Sequence, residues 1–128
     1  MPFDNLPSEP PEVILLRRAQ RILRNPCRWW KGGWLGAGAV PSSFCLLSAI
    51  GLASDAPGWL IQHRKMLPVE KQAARLLVKQ LPKQGLRRFQ TIRGRLIAFN
   101  DNSATTHPMV MDLFDRAIGS VSAKELAL

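Results

Sequence analysis

The chain has 128 residues, 46% of them hydrophobic. That is enough for one domain with a real core and excludes wholesale disorder. Eighteen Lys and Arg against nine Asp and Glu give a net charge of +9, an excess that favours polyanionic partners over neutral ones, unless it serves only solubility.

Cys27 and Cys45 are the only cysteines. Two cannot make a disulfide framework or a zinc site by themselves, so ordinary buried thiols in a reducing, cytoplasmic compartment are expected. The N-terminal run MPFDNLPSEPPE is acidic and proline-rich where a secretory signal needs a basic region and then an apolar one.

Residues 1–10 read as a flexible arm. Pro10 and Pro11 then open a helix over 11–25 at its tolerated end, with Glu12 in the first turn. Leu15, Leu16, Ala19, Ile22 and Leu23 form its apolar stripe, and Arg17, Arg18, Arg21 and Arg24 fill the remainder. Arg17, Arg21 and Arg24 share one face by spacing. Asn25-Pro26 ends the helix.

A glycine-rich loop follows, carrying Trp29, Trp30 and Trp34 beside Arg28 and Lys31. Two roles compete for these tryptophans. They can stack on bases or on cations, or they can fold the loop back over the core. The whole stretch from Gly32 to Ser54 lacks charge and is long enough to span a bilayer, but its dense apolar part, Phe44 to Ala53, is too short. No membrane span is expected. Ser42 or Ser43 instead caps a second helix over 43–53, apolar nearly all round and so the most buried.

The connection at 54–67 ends in the basic Gln62-His63-Arg64-Lys65. Pro68 opens a third helix over 69–81, with Lys71, Arg75 and Lys79 aligned on its outer face. Lys83, Arg87, Arg88, Arg93 and Arg95 prolong the basic run. Gly85 and Gly94 mark breaks in it, so Gln90-Thr91-Ile92 and Leu96-Ile97-Ala98-Phe99 can pair as a small hairpin. Asn100 to Ser103 is a turn cluster. The last helix, 106–118, has Thr105 or Thr106 as cap, Pro108 in its first turn, a stripe of Val110, Leu113, Phe114, Ala117 and Ile118, and an Asp112–Arg116 pair. Gly119 is a ready stop, and 120–128 is expected to fray. The expected fold is mainly α: a compact single-domain bundle of about four helices over 11–119, with a Gly/Trp-rich loop and room for one short hairpin.

Chemistry has few places to sit. Asn100, Asp101, Thr106 and His107 make the one polar cluster. Asp101 and His107 can serve as an acid–base pair or as metal ligands. The simpler reading is that Asn100 and Asp101 bond their own turn, a threonine caps the helix and His107 occupies its first turn. No phosphate loop, nucleophile elbow or zinc spacing is present, so no catalytic residue, metal or cofactor is expected.

Three pieces carry a resemblance: Trp29-Trp30-Lys31-Gly32, then Cys45-Leu46-Leu47-Ser48-Ala49-Ile50, and finally Phe99-Asn100-Asp101 with Thr105-Thr106-His107 and Val110 to Ile118. Over roughly residues 12–119 the chain resembles a family of small bacterial and phage domains of unknown function. That family carries Trp-x-Gln-Gly, Cys-Leu-Leu-Gly-Ala, Trp-Asn-Asp and Thr-x-x-x-Val-x-x-Leu motifs. This chain departs from them at Lys31, Ser48, Phe99 and Met109. The resemblance implies a compact helical domain and no particular activity. The residue at Met109, acidic in the family, removes a capping box from Thr106.

The expected function is a non-enzymatic basic module that binds nucleic acid or another polyanionic surface. Arg17, Arg21, Arg24, Arg28, Lys31, Lys71, Arg75, Lys79, Lys83, Arg87, Arg88, Arg93 and Arg95 would supply the charge. The alternative is a protein–protein module, such as a phage or mobile-element inhibitor of a host nucleic-acid-targeting defence complex (an anti-CRISPR protein, for example).

Overall fold

Each helix starts where the chain offers a substitute for missing backbone bonds. Pro11 begins α1 (Pro11–Leu23), where its absent N–H costs nothing. Asn25 takes the Cys27 N–H on its side chain and starts a 3-10 turn, Pro26–Arg28. Cys45 caps α2 (Leu46–Ala53), its Sγ accepting from Ser48 N at 3.4 Å. Pro68 opens α3 (Pro68–Lys79). Thr91 caps α4 (Ile92–Asp101) by accepting from Gly94 N at 3.0 Å. Thr106 Oγ1 accepts from Met109 N at the start of α5 (His107–Leu126). The computed structural model describes residues 9–31, 44–56, 61, 64–82 and 91–126, with side chains as far as Val121.

The α1 helix packs on α2, α3 and α5, and α3 also packs on α4 and α5. Between them lies a core of Leu16, Leu23, Leu46, Leu47, Ile50, Ile61, Leu77, Leu96, Leu113 and Phe114. As expected, α2 is the most enclosed helix, with only Leu52 exposed. It leaves through Asp55, held at φ 56°, a left-handed position that a short polar side chain tolerates. No helix among the described residues is long and apolar enough to cross a membrane.

Several expectations are corrected. The mainly helical class holds, but the described residues form five α-helices where about four were expected. The proposed hairpin is a helix: Ile92, Leu96 and Asn100 recur every four residues on its inner side, and Gly94 sits in a capped first turn rather than at a break. The second helix starts at Leu46, capped by Cys45, not at residue 43. Ser42 and Ser43 lie outside the described residues. Gly119 does not stop the last helix, which continues to Leu126, so 120–126 are helical where fraying was expected. Cys27 is exposed, while Cys45 is buried as anticipated. Glu9, within the expected arm, is clasped by Arg17 through Nε and Nη2.

One buried charge ties the loop before α3 to the core. The Glu70 side chain is fully enclosed, and its carboxylate accepts from Arg64 Nη1 at 2.8 Å and Nη2 at 2.7 Å. Ser54 Oγ at 2.5 Å and Leu67 N at 2.7 Å complete its partners. Burial pushes this carboxyl up, but the bonds from Arg64, Ser54 and Leu67 outweigh it and hold the pKa below the usual carboxylate value. Because the folded-state pKa is depressed, the stability it contributes is complete above the unfolded value. It is lost as pH falls through the folded one.

Three stability measurements follow from this packing. Phe114→Ala should lose about 3–5 kcal/mol in urea unfolding, since Phe114 is fully buried; an unchanged midpoint would contradict the assigned core. Gly119→Ala should gain about 0.5–1 kcal/mol, because the helix runs through this exposed position and an added Cβ meets nothing within 4 Å. Glu70→Gln should cost roughly 3 kcal/mol at neutral pH. That penalty should shrink as the medium is acidified, because the wild type then loses the same charge; a penalty constant down to acid pH would contradict the ionised pairing.

Candidate polyanion-binding surface

The sequence's polar cluster is a structural joint. Asn100, 1% exposed on the last turn of α4, accepts on Oδ1 from Trp29 Nε1 at 2.8 Å and from Leu46 N at 3.2 Å. Its Nδ2 donates to the Trp30 carbonyl at 2.9 Å and to Asp101 Oδ1 at 2.9 Å. Apart from the bond to Asp101, its partners lie outside its own turn, and it does not bond the turn's backbone as expected. That task falls to Asn102, whose Oδ1 takes the Ala104 N–H. Beside this joint, Trp30 N donates to Phe44 O at 2.8 Å, and Phe44 N donates to Arg28 O at 2.7 Å. These bonds tie Arg28 and Trp30 to Phe44.

His107 and Lys31 are committed in the same way. His107 Nε2–H donates to the Leu23 carbonyl at 2.7 Å, satisfying the end of α1. Its ring tilts against Trp29, with centroids 6.3 Å apart. Lys31 Nζ donates to the Thr105 carbonyl at 2.6 Å and the Ser103 carbonyl at 3.0 Å, and lies 5.7 Å from the Trp29 ring centre. Trp29 thus bonds Asn100 through its indole N–H and faces the Lys31 cation with its ring. Trp30 is half-buried, and its Nε1 has no hydrogen-bond partner among the described residues. Trp34 lies outside the described residues.

The remaining cations divide by helix. Arg17, Arg18, Arg21 and Arg24 are exposed on the outward face of α1, and Arg28 is exposed just beyond it. On α3 the exposed positions are Pro68, Lys71, Gln72, Arg75 and Lys79, so no acid interrupts them. Exposed Glu9 pairs with Arg17 on the α1 face at 2.8 Å. On α5, Asp112 pairs with Arg116 at 2.8 Å and Asp115 accepts from Gln20 at 2.7 Å. Arg95 is half-buried, its Nε without a partner among the described residues. Lys83, Arg87 and Arg88 lie outside them. Two cations belong with the basic positions although the spacing argument passed over them: Arg18, on the α1 face, and Lys65, in the connection before α3.

Depressions among the described residues include two on the surface. One, about 440 Å³, is lined by Lys65, Met66, Lys71, Thr91, Ile92 and Arg93. The other, about 250 Å³, runs between α1 and α3 past Ile14, Leu15, Ala53, Leu67 and Val69, with Arg18 at its wall. Ile14 and Leu67 are exposed there. Among the described residues no three His, Cys, Asp or Glu side chains converge as metal ligands would.

Because Asn100 serves three segments at once, its removal is diagnostic. Asn100→Ala should lose about 2–4 kcal/mol, leaving the Trp29 indole N–H, Leu46 N–H and Trp30 carbonyl without their partner. A calorimetric melt within error of wild type would contradict the joint.

The comparisons with known proteins add one match. No curated protein and no solved structure matches the chain. The family described as a family of unknown function (DUF6197) matches residues 7–120. That span takes in the Trp29–Lys31 turn, α2 and the Asn100 joint, and on it the chain belongs to the DUF6197 family of unknown function.

Proposed function

We propose that the protein is a non-enzymatic module that binds a polyanion, nucleic acid foremost, through the outward faces of α1 and α3. The observation that carries this reading is charge segregation. Arg17, Arg18, Arg21 and Arg24 on α1, and Lys71, Arg75 and Lys79 on α3, stand exposed, with Glu9 paired to Arg17, while on α5 Asp112 pairs with Arg116 and Asp115 accepts from Gln20 of α1. Arginine's planar fork suits phosphate, and such contacts fix a protein on a strand without reading its sequence. The non-enzymatic part is supported by how the polar cluster is used: His107, Asn100 and Thr106 all hold backbone or ring groups in place. A cytoplasmic setting fits the same partner.

A second reading has its own observation. The apolar groove beside Ile14 and Leu67, with Arg18 at its wall, suits a protein surface that is partly acidic. An inhibitor of a nucleic-acid-targeting complex would use such a face.

Reversing Arg21 and Arg24 to Glu separates these readings. Fluorescence anisotropy with a generic single-stranded or duplex DNA or RNA should show weaker binding. The slope of log K against log salt should fall by about 0.9 per lost contact on duplex DNA. The melting temperature should stay near wild type, both residues being exposed. Wild-type protein that binds no nucleic acid at low ionic strength would overturn the first reading and leave the second.

A further inference from the structure

We propose that the cleft between the 65–66 segment, the start of α3 and the start of α4 is a site for a phosphate monoester, the terminal phosphate of a nucleotide or of a nucleic-acid strand. The proposal rests on the polyanion reading for the class of ligand and shares Lys71 with its α3 face, while Lys65 and Arg93 lie outside the α1 and α3 faces.

Three cations from three parts of the chain meet there: Lys65 before α3, Lys71 in its first turn and Arg93 in the first turn of α4. No carboxylate is among the described residues that line the cleft. The nearest buried acid in sequence, Glu70, spends its oxygens on Arg64, Ser54 and Leu67 N. Cations gathered in one depression repel each other unless an anion joins them, and a dianion offsets more of that cost than a single charge. A monoester carries about −1.5 to −2 at neutral pH, where a diester linkage within a strand carries one charge.

Arg93 is also held in position. Its Nη2 donates to the Arg64 carbonyl, and Arg64 is itself clamped by Glu70. The rest of its guanidinium fork remains for a ligand at the wall it lines. Lys65 and Lys71 are both exposed, and act as movable point charges. Thr91 adds a hydroxyl: its oxygen accepts from Gly94 N, which leaves its proton to donate.

The volume says what accompanies the phosphate. About 440 Å³ exceeds the needs of a bare tetrahedral anion and falls among small-molecule pockets, roughly 300–1,000 Å³. Met66 and Ile92 supply apolar wall for the attached body. The site thus differs from the open α1 face in kind: it recognises an end, where α1 follows a backbone.

The test uses the full chain with four probes: inorganic phosphate, a nucleoside 5′-monophosphate, and two single-stranded oligonucleotides identical except for a 5′-phosphate or a 5′-hydroxyl. Binding is read by titration calorimetry at fixed ionic strength, in wild type, Lys65→Gln/Lys71→Gln and Arg21→Glu/Arg24→Glu. The first expected pattern is a 5′-phosphate preference of about tenfold, lost in the lysine variant and kept in the α1 variant. It would place the ligand on a strand end. The second is monophosphate binding, lost in the lysine variant, with no preference between the oligonucleotides; it would assign the site to a free nucleotide. Equal affinity for both oligonucleotides together with no monophosphate binding would overturn the proposal. So would binding of phosphate or monophosphate that the lysine variant leaves unchanged. Loss of both oligonucleotides in the α1 variant, with monophosphate binding intact, would separate this site from the polyanion face. Failure of all oligonucleotides in wild type while the monophosphate still binds would remove the polyanion reading and leave this one standing.

Discussion

A single buried carboxamide holds the polar half of this structure together. Asn100 closes on Trp29 and Trp30 at the base of the glycine-rich loop, on the first N–H of α2, and on its own neighbour Asp101. Only a side chain with both donor and acceptor can serve a carbonyl and two N–H groups at once. A carboxylate would lack the donors, and an apolar group would leave three polar atoms stranded in a buried place. The α2 helix has no charge with which to complement its ends, so this external acceptor matters more there than at an exposed helix. The loop base, the cap of α2 and the end of α4 are therefore set by one residue, and the Lys31 and His107 bonds pack around it.

That economy has a functional consequence. Residues that looked free for chemistry are occupied in folding, and so are several charges. Lys31 is spent on two carbonyls, Arg64 on Glu70, and Arg116 on Asp112 and the Gln80 carbonyl. The outward cations of α1 and α3 remain, with Arg17 alone shared with Glu9. An exposed pair of that kind contributes little to stability and yields readily to a competing phosphate. The net charge of +9 is thus not spread evenly over the surface.

Apolar periodicity was the legible part of the sequence. The stripes of α1 and α5 are buried where spacing placed them, and the all-apolar run became the most enclosed helix. Glycine misled twice, because its cost inside a helix is small and local. A threonine cap rescues Gly94, and packing on both sides carries α5 through Gly119. Asn100 and Glu70 were illegible for a different reason. Asn-Asp before a capped helix has a local explanation as a turn, and Glu in a first turn has one as a dipole partner. Their actual partners lie as far as 71 residues away for Trp29 and 16 for Ser54. Spacing carries no trace of such contacts. The cleft at Arg93 was hidden for the same reason, since its three cations come from segments that meet only in the fold.

The polar network spent on structure and the proposed binding faces of α1 and α3 are made of different residues. Backbone and side-chain amide NMR during titration with single-stranded DNA at low salt tests both halves at once. Shifts should concentrate along α1 and α3, with the Asn100 carboxamide and the Trp29 indole N–H unmoved. Shifts centred on Asn100, Asp101 and His107, or spread evenly over α5, would contradict that separation.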